Sequence, residues 1–185
     1  MKKIPTIFDR DWDGNRGVID KLVVDYPFDE AIATEKLDGM NVRLTVRNHT
    51  LVRLEKRRNP SKIQKAKGIT DPWYVDAFPQ DPEDQYLWDA ANNIDLAVLD
   101  VPDGEWSGEA MGVKIQGNPL NLRERTICLF SLMMAPKINK APNTYEELKE
   151  WLPKCLSQFG AGYIEGIVWH HPTAGMVKIK TKDFK

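Results

Sequence analysis

The chain has 185 residues, 42% of them apolar, six tryptophans and a formal net charge of −1. That is enough apolar material for a core, and the length fits one domain over residues 1–185. No apolar run of the roughly 18 residues a membrane span needs occurs, and Met1-Lys2-Lys3-Ile4-Pro5-Thr6 lacks the apolar stretch of a signal peptide. No membrane contact is expected, and the expected setting is cytoplasmic. Cys128 and Cys155 lack metal-ligand spacing and read as free thiols.

In chain order, the first feature is an aspartate-rich loop. Asp9, Asp11, Asp13, Gly14 and Asp20 fall on positions of an EF-hand calcium loop. The entering helix is missing, because Ile4-Pro5-Thr6-Ile7-Phe8 is short and broken by proline. A loop whose Asp and Asn side chains satisfy their own backbone is the better reading.

Residues 31–36 and 41–47 read as strands around the turn Lys36-Leu37-Asp38-Gly39. In the second, Val42, Leu44 and Val46 alternate with Arg43, Thr45 and Arg47. Lys36 is thereby expected at a sheet edge, with Gly39 permitting a tight reversal. A lysine aimed into a cleft from such a turn can serve as a nucleophile. Further strands are expected at 51–55, 96–101, 126–132, 163–169 and 176–180, with hairpin turns at 48–50 and 171–175. One helix is expected to open on Pro82 and run on through Glu83–Asn92, and a second to follow Thr144-Tyr145-Glu146-Glu147, which has capping-box form, with Pro153 ending or kinking it. The net charge of −1 hides a segregation of sign. Arg53, Lys56, Arg57, Arg58, Lys62, Lys65 and Lys67 are opposed only by Glu55, whereas Asp71, Asp76, Asp81, Glu83, Asp84 and Asp89 follow without a cation. The position of the basic stretch, right after the Lys36 hairpin, suits phosphate contact.

Downstream of Lys36, polar groups are set into apolar strands. Gly104-Glu105-Trp106-Ser107-Gly108 precedes Lys114-Ile115-Gln116-Gly117-Asn118. Phe130 lies in the apolar stretch 126–131, and Glu165-Gly166 precedes Lys178-Ile179-Lys180. In a Lys-x-Lys strand both lysines project from one face while Ile179 enters the core. Glu165, on an otherwise apolar strand, needs a cation or a donor, and a divalent metal is one candidate.

Each motif alone is common, but their order resembles the covalent nucleotidyltransferase superfamily of ATP-dependent RNA and DNA ligases and messenger-RNA capping enzymes. RNA ligases are the nearest likeness. Glu-Lys-x-x-Gly-x-Asn fits 35–41, Lys-Arg fits 56–57, and Gly-Glu-x-x-Gly followed by Ile-Gln fits 104–108 and 115–116. The resemblance covers nearly the whole chain.

It implies an α+β nucleotidyltransferase (ATP-grasp-like ligase) fold of mostly antiparallel sheets with flanking helices. It implies an adenylyltransferase domain in which Lys36 is the nucleophile and forms a lysine–AMP intermediate. Nucleotide-binding roles are implied for Glu35, Asp38, Asn41, Arg57, Glu105, Phe130, Lys178 and Lys180, with Arg57 and Glu105 on the ribose and Phe130 against the adenine. Glu165 is implied as the ligand of a divalent metal, Mg²⁺ or Mn²⁺, and Lys56, Arg58 and Lys62 as RNA contacts. The implied substrates are ATP and an RNA with 5′-phosphate and 3′-hydroxyl ends, with a partner repair protein as a further expectation. The chain ends five residues after Lys180, so no appended OB-type or other C-terminal domain is expected. That ranks capping-type guanylyltransferase and DNA ligase behind RNA ligase, with a non-catalytic nucleotide- or RNA-binding module as the rival outside the enzymes. His49, His170 and His171 are given no role.

Overall fold

The computed structural model describes residues 3–132 and 134–185. In chain order the elements are β1 (Phe8–Arg10), β2 (Val18–Leu22), β3 (Ile32–Lys36), β4 (Met40–Arg47), β5 (Thr50–Arg58), α1 (Lys62–Ala66), β6 (Trp73–Asp76), α2 (Gln85–Asn92), β7 (Gly104–Met111), β8 (Thr126–Leu129), α3 (Tyr145–Trp151), β9 (Gly166–His171) and β10 (Gly175–Lys180). The fold is α+β, and every pairing between these strands is antiparallel. Among the described residues no helix is long and apolar enough to cross a membrane. Two compact units form: a middle unit built on Asp38–Met134, and a terminal unit of Ile4–Leu37 with Ala135–Lys185.

The middle unit is a five-stranded sheet in the order β6-β5-β4-β7-β8. Val42, Leu44 and Val46, the apolar half of the alternation in β4, are completely buried on one face with Leu54, Ala110, Ile127 and Leu129. Leu87, Ala90 and Ala91 of α2 join the same core. The opposite face carries Asn41, Arg43 and Thr45 of β4 beside Glu109, Ser107 and Glu105 of β7. The β4–β5 hairpin turns on Asn48 and His49 with φ of 48° and 55°, the left-handed pair that suits the strand twist in a two-residue loop.

The terminal unit holds the three-stranded sheet β10-β9-β3 and the β1–β2 pair. Ile167, Trp169, Val177 and Ile179 are buried with Ile7, Phe8, Leu148, Leu152 and Ile164. Pro136 to Ile138 lies along the outer edge of β3, where Glu35 N donates to the Pro136 carbonyl at 2.9 Å and Ile138 N to that of Ala33 at 2.9 Å.

Several expectations are corrected. Residues 96–101 are not a strand: Asp95 Oδ1 accepts from the N–H groups of Ala97 and Val98, both at 3.0 Å, and folds the apolar run into turns. The strand is β7, where Trp106, Gly108 and Ala110 face the core side and Glu105, Ser107 and Glu109 the polar side. The stretch expected as a strand over 126–132 turns into a 3₁₀ helix at Phe130–Leu132. β6 and α1 were not expected. The helix after Thr144 forms and ends in a 3₁₀ turn containing Pro153, but the Thr144 hydroxyl donates to the Glu147 carboxylate at 2.7 Å rather than accepting from the backbone. The aspartate-rich loop joins β1 to β2 and has the self-satisfied backbone expected of it: Asp11 accepts from Gly14 N at 2.9 Å and Asn15 accepts from Gly17 N at 2.7 Å.

Candidate functional site

The terminal unit brings the lysines together. In its sheet Lys36 pairs with Gly166 and Gly166 with Lys180, while Thr34 pairs with Val168 and Val168 with Lys178. With side chains alternating, Lys36, Lys178 and Lys180 share the face opposite the core. Gly166 between Lys36 and Lys180 has two consequences. It leaves no side chain between the lysines, and a Cβ there would lie 2.0 Å from the Ile179 carbonyl oxygen, so β9 and β10 approach this closely only with glycine.

Glu165, one residue before β9, is the anion of this face. Its Oε2 takes the Lys36 ammonium at 2.5 Å, and its Oε1 takes Lys180, with Lys182 3.6 Å away. Burial pushes the Glu165 carboxyl up, but Lys36 and Lys180 outweigh it and hold the group below its ordinary value. The cation that the sequence required for Glu165 is therefore lysine. Among the described residues no carboxylate forms an ion pair with Lys178; burial first, then the Lys180 and Lys36 charges, lower its pKa to about 8. His170, on the same face, meets the Thr34 hydroxyl at 3.0 Å, and burial lowers its pKa.

Glu35 points the other way and is buried. Its carboxylate accepts from Ser157 Oγ and from Gln158 N, both at 2.6 Å, pinning the segment that follows Cys155 to β3.

In the middle unit the polar face has its own organisation. Asn41 pairs with Glu109 and Tyr74 with Arg57, and Arg57 and Asn41 each lie one residue beyond the Val42–Lys56 pair. These four residues thus form one row across the sheet, at the end where β4 leaves Asp38-Gly39. The Tyr74 hydroxyl reaches across β5 to Asn41 Oδ1 at 2.7 Å, Asn41 Nδ2 donates to the Gly108 carbonyl at 3.2 Å, and the Arg43 guanidinium lies 4.6 Å from the Tyr74 ring centroid. Arg57 Nε is buried without a hydrogen-bond partner, an unmet donor that a polar ligand could satisfy. Gly39 has no left-handed φ; it is required because a Cβ would lie 2.2 Å from the Ala110 carbonyl oxygen, and its N–H donates to Glu109 Oε1 at 3.1 Å.

Glu105 lies at the other end of this face, opposite Thr45 and bonded to Arg43 at 3.0 Å. One strand, β4, and thus two strand spacings, together with four residues along the chain, separate it from Arg57, about 16 Å between Cα atoms at standard strand spacings. The sequence carries Gly-Glu-x-x-Gly twice in overlap, at 104–108 and 108–112, and the register puts the second glutamate, Glu109, beside Asn41. That repeated pattern was the available signal for Glu109; nothing in the sequence singled out Tyr74.

Lys56 projects to the core side, where it is buried and paired with Asp84. This corrects its expected exposure to RNA, because the pair occupies it inside the fold. Arg58 and Lys62 are exposed, Asp38 and Phe130 half-buried. Cys128 is a buried free thiol whose pKa burial pushes up to about 12.

Among the described residues no three His, Cys, Asp or Glu side chains gather as a metal cage, and both Glu165 oxygens hold lysines. A divalent ion here would be bound mainly by phosphate oxygens and water, the usual habit of Mg²⁺, with Glu165 as the one carboxylate able to support it in exchange for a lysine.

No protein-family model and no curated protein matches the sequence. Solved structures do match in fold. A Naegleria gruberi RNA ligase variant with ATP and Mn is 15% identical with a TM-score of 0.53, over 98% of this chain and 58% of that one. A variant of the same ligase with AMP and Mn is 15% identical at a TM-score of 0.53, and the ligase with PPi is 16% identical at 0.51, each over 82% of this chain and 49% of the other. The chain spans about half the length of the solved structures it matches. Over that span, its fold is that of these RNA ligases.

Proposed function

We propose that the protein is an ATP-dependent RNA ligase with a nucleotidyltransferase (ATP-grasp-like) domain, and that Lys36 is its nucleophile. The observation that carries this reading is the Lys36–Glu165–Lys180 arrangement on one face of a three-stranded sheet, with Lys178 one row away. The half-buried face opposite the core needs no such cluster for stability, since gathering like charges costs free energy; a polyphosphate offsets that cost.

Lys36 gives its ammonium proton to water, its Nζ then forms a bond to the α-phosphorus of ATP as the bond to pyrophosphate breaks, and the second proton lost from that nitrogen also passes to water. Glu165 orients the Lys36 side chain, and Lys178 and Lys180 balance charge on the transferring and leaving phosphates. The AMP passes from Lys36 to an RNA 5′-phosphate, and a 3′-hydroxyl then displaces AMP and seals the strand. Asn41, Arg57 and Glu109, in place of Glu105, hold the ribose end of the nucleotide; Arg57 Nε gains the acceptor it lacks. Asp38 supports the phosphate region and Phe130 offers the purine a face. Glu35 acts indirectly, by fixing β3. A divalent ion, Mg²⁺ or Mn²⁺, supplies charge neutralisation on the phosphates when bound, with Glu165 as its protein ligand. The setting proposed is cytoplasmic.

The test is incubation with ATP, a divalent ion and RNA carrying 5′-phosphate and 3′-hydroxyl ends. A 5′-adenylylated RNA intermediate and a joined product are expected. Transfer from GTP alone would identify a capping-type enzyme, joining of DNA alone a DNA ligase, and bound nucleotide without any transfer a binding module.

A further inference from the structure

β5 ends at Arg58 and β6 begins at Trp73, and these two residues pair in register. Everything between them is therefore one excursion from the end of the five-stranded sheet that carries the Asn41, Arg57, Tyr74 and Glu109 row. α1 lies on it, capped by Ser61, whose hydroxyl accepts from Gln64 N while the Gln64 side chain accepts from Ser61 N.

The excursion exposes Arg58, Lys62, Lys65 and Lys67, and among the described residues none of the four enters an ion pair. The acidic stretch that follows does not neutralise them. Asp76 is taken by Arg53, Asp84 by Lys56 and Asp89 by Arg125, leaving only Asp71 as an acid on the excursion itself. Interleaved with the cations are apolar groups turned to water: Ile63 is 70% exposed, Ile69 45% and Trp73 37%.

We propose that this connection is the docking surface for a single-stranded stretch of the RNA next to the end being joined, a proposal that rests on the ligase reading. Four unpaired cations along one short segment suit successive phosphates. Exposed apolar and aromatic groups between them suit bases whose faces are free. A strand without a pairing partner offers those faces, and stacking on an aromatic such as Trp73 tolerates any base. A duplex hides its base faces and presents phosphates and 2′-hydroxyls across a shallow groove. Because Arg58 and Trp73 adjoin Arg57 and Tyr74 in sequence, a strand on this surface leads toward the proposed nucleotide row.

The test uses the full chain and a fluorescent single-stranded oligouridylate about ten nucleotides long, followed by anisotropy across a potassium chloride series. Each phosphate contact contributes about 0.7 to the slope of log affinity against log salt for single strands. The combined variant Arg58→Gln, Lys62→Gln, Lys65→Gln, Lys67→Gln should lower that slope by about 3. Trp73→Ala should weaken single-strand binding about ten-fold with little change of slope, and should leave binding of a duplex of equal length unaltered. An unchanged slope in the charge variant overturns the proposal. So does an equal slope loss from Lys149→Gln on α3 with Lys154→Gln on the 3₁₀ turn that follows it, or an equal effect of Trp73→Ala on duplex. Covalent attachment of AMP to Lys36 is read separately without RNA, so failure of the ligase reading and failure of this surface are told apart.

Discussion

Replacing Lys178 by methionine should stabilise the terminal unit at neutral pH while weakening nucleotide binding. Methionine keeps the apolar stem of the lysine and removes a charge held among Lys36 and Lys180. The Lys178 pKa is lowered from 10.5 to about 8 by burial and by those two cations. Between these values the unfolded chain binds more protons than the folded one, so the stability of the native sequence rises with pH across that window. Below it the full penalty is present. At 1.36 kcal/mol per pH unit the difference is about 3 kcal/mol, which the side chain's remaining access to water reduces to about 1–2 kcal/mol. For a chain of this size that corresponds to a melting temperature higher by about 2–8 °C in Lys178→Met at pH 7. Thermal unfolding at pH 7 and pH 10 is the assay, and the gap should shrink at the higher pH as Lys178 loses its proton in the native protein. A variant no more stable at pH 7, or a gap unchanged at pH 10, would refute the reasoning. The same ammonium favours a triphosphate, so ATP affinity of the native protein should fall as pH rises past about 8, a dependence absent from Lys178→Met.

Three further outcomes are expected. Gly166→Ala should destabilise by at least about 2–3 kcal/mol in urea unfolding, because its methyl group meets the Ile179 carbonyl; unaltered stability would contradict the β9–β10 register. Glu109→Gln should weaken ATP binding about ten-fold whereas Glu105→Gln should change it little, since hydrogen bonds to charged groups carry about 1.5–3 kcal/mol, and the reverse order in titration calorimetry would restore Glu105 to the ribose. Lys56→Ala should cost about 3–5 kcal/mol by stranding the buried Asp84 carboxylate; a cost typical of an exposed lysine would mean the pair is absent in solution.

The sequence displayed most clearly what rests on period and on turn chemistry. The alternation in β4, the Asn48-His49 turn and the Lys-x-Lys strand are local patterns, and each forms where expected. β7 was hidden because Gly104, Ser107 and Gly108 blur its alternation, while Leu96–Val101, more apolar, is drawn into turns by Asp95. The choice between Glu105 and Glu109 depends on register, which a repeated Gly-Glu pattern cannot supply. Lys56 and Arg57 are neighbours in one basic stretch, yet strand alternation sends Lys56 to Asp84 inside and leaves Arg57 on the polar face. Tyr74 acts through a contact that crosses an intervening strand, and no local pattern encodes that. The lysine cluster was legible as a set of motifs, but its organising anion became visible only in the pairing of Glu165 with Lys36 and Lys180.

The most direct test of Lys36 as nucleophile is intact-mass spectrometry of the protein after incubation with ATP and a divalent ion, followed by peptide mapping. The expected result is a single AMP adduct on Lys36, removed by Lys36→Arg and reversed by added pyrophosphate. No adduct, or an adduct mapped to any other residue, would contradict it.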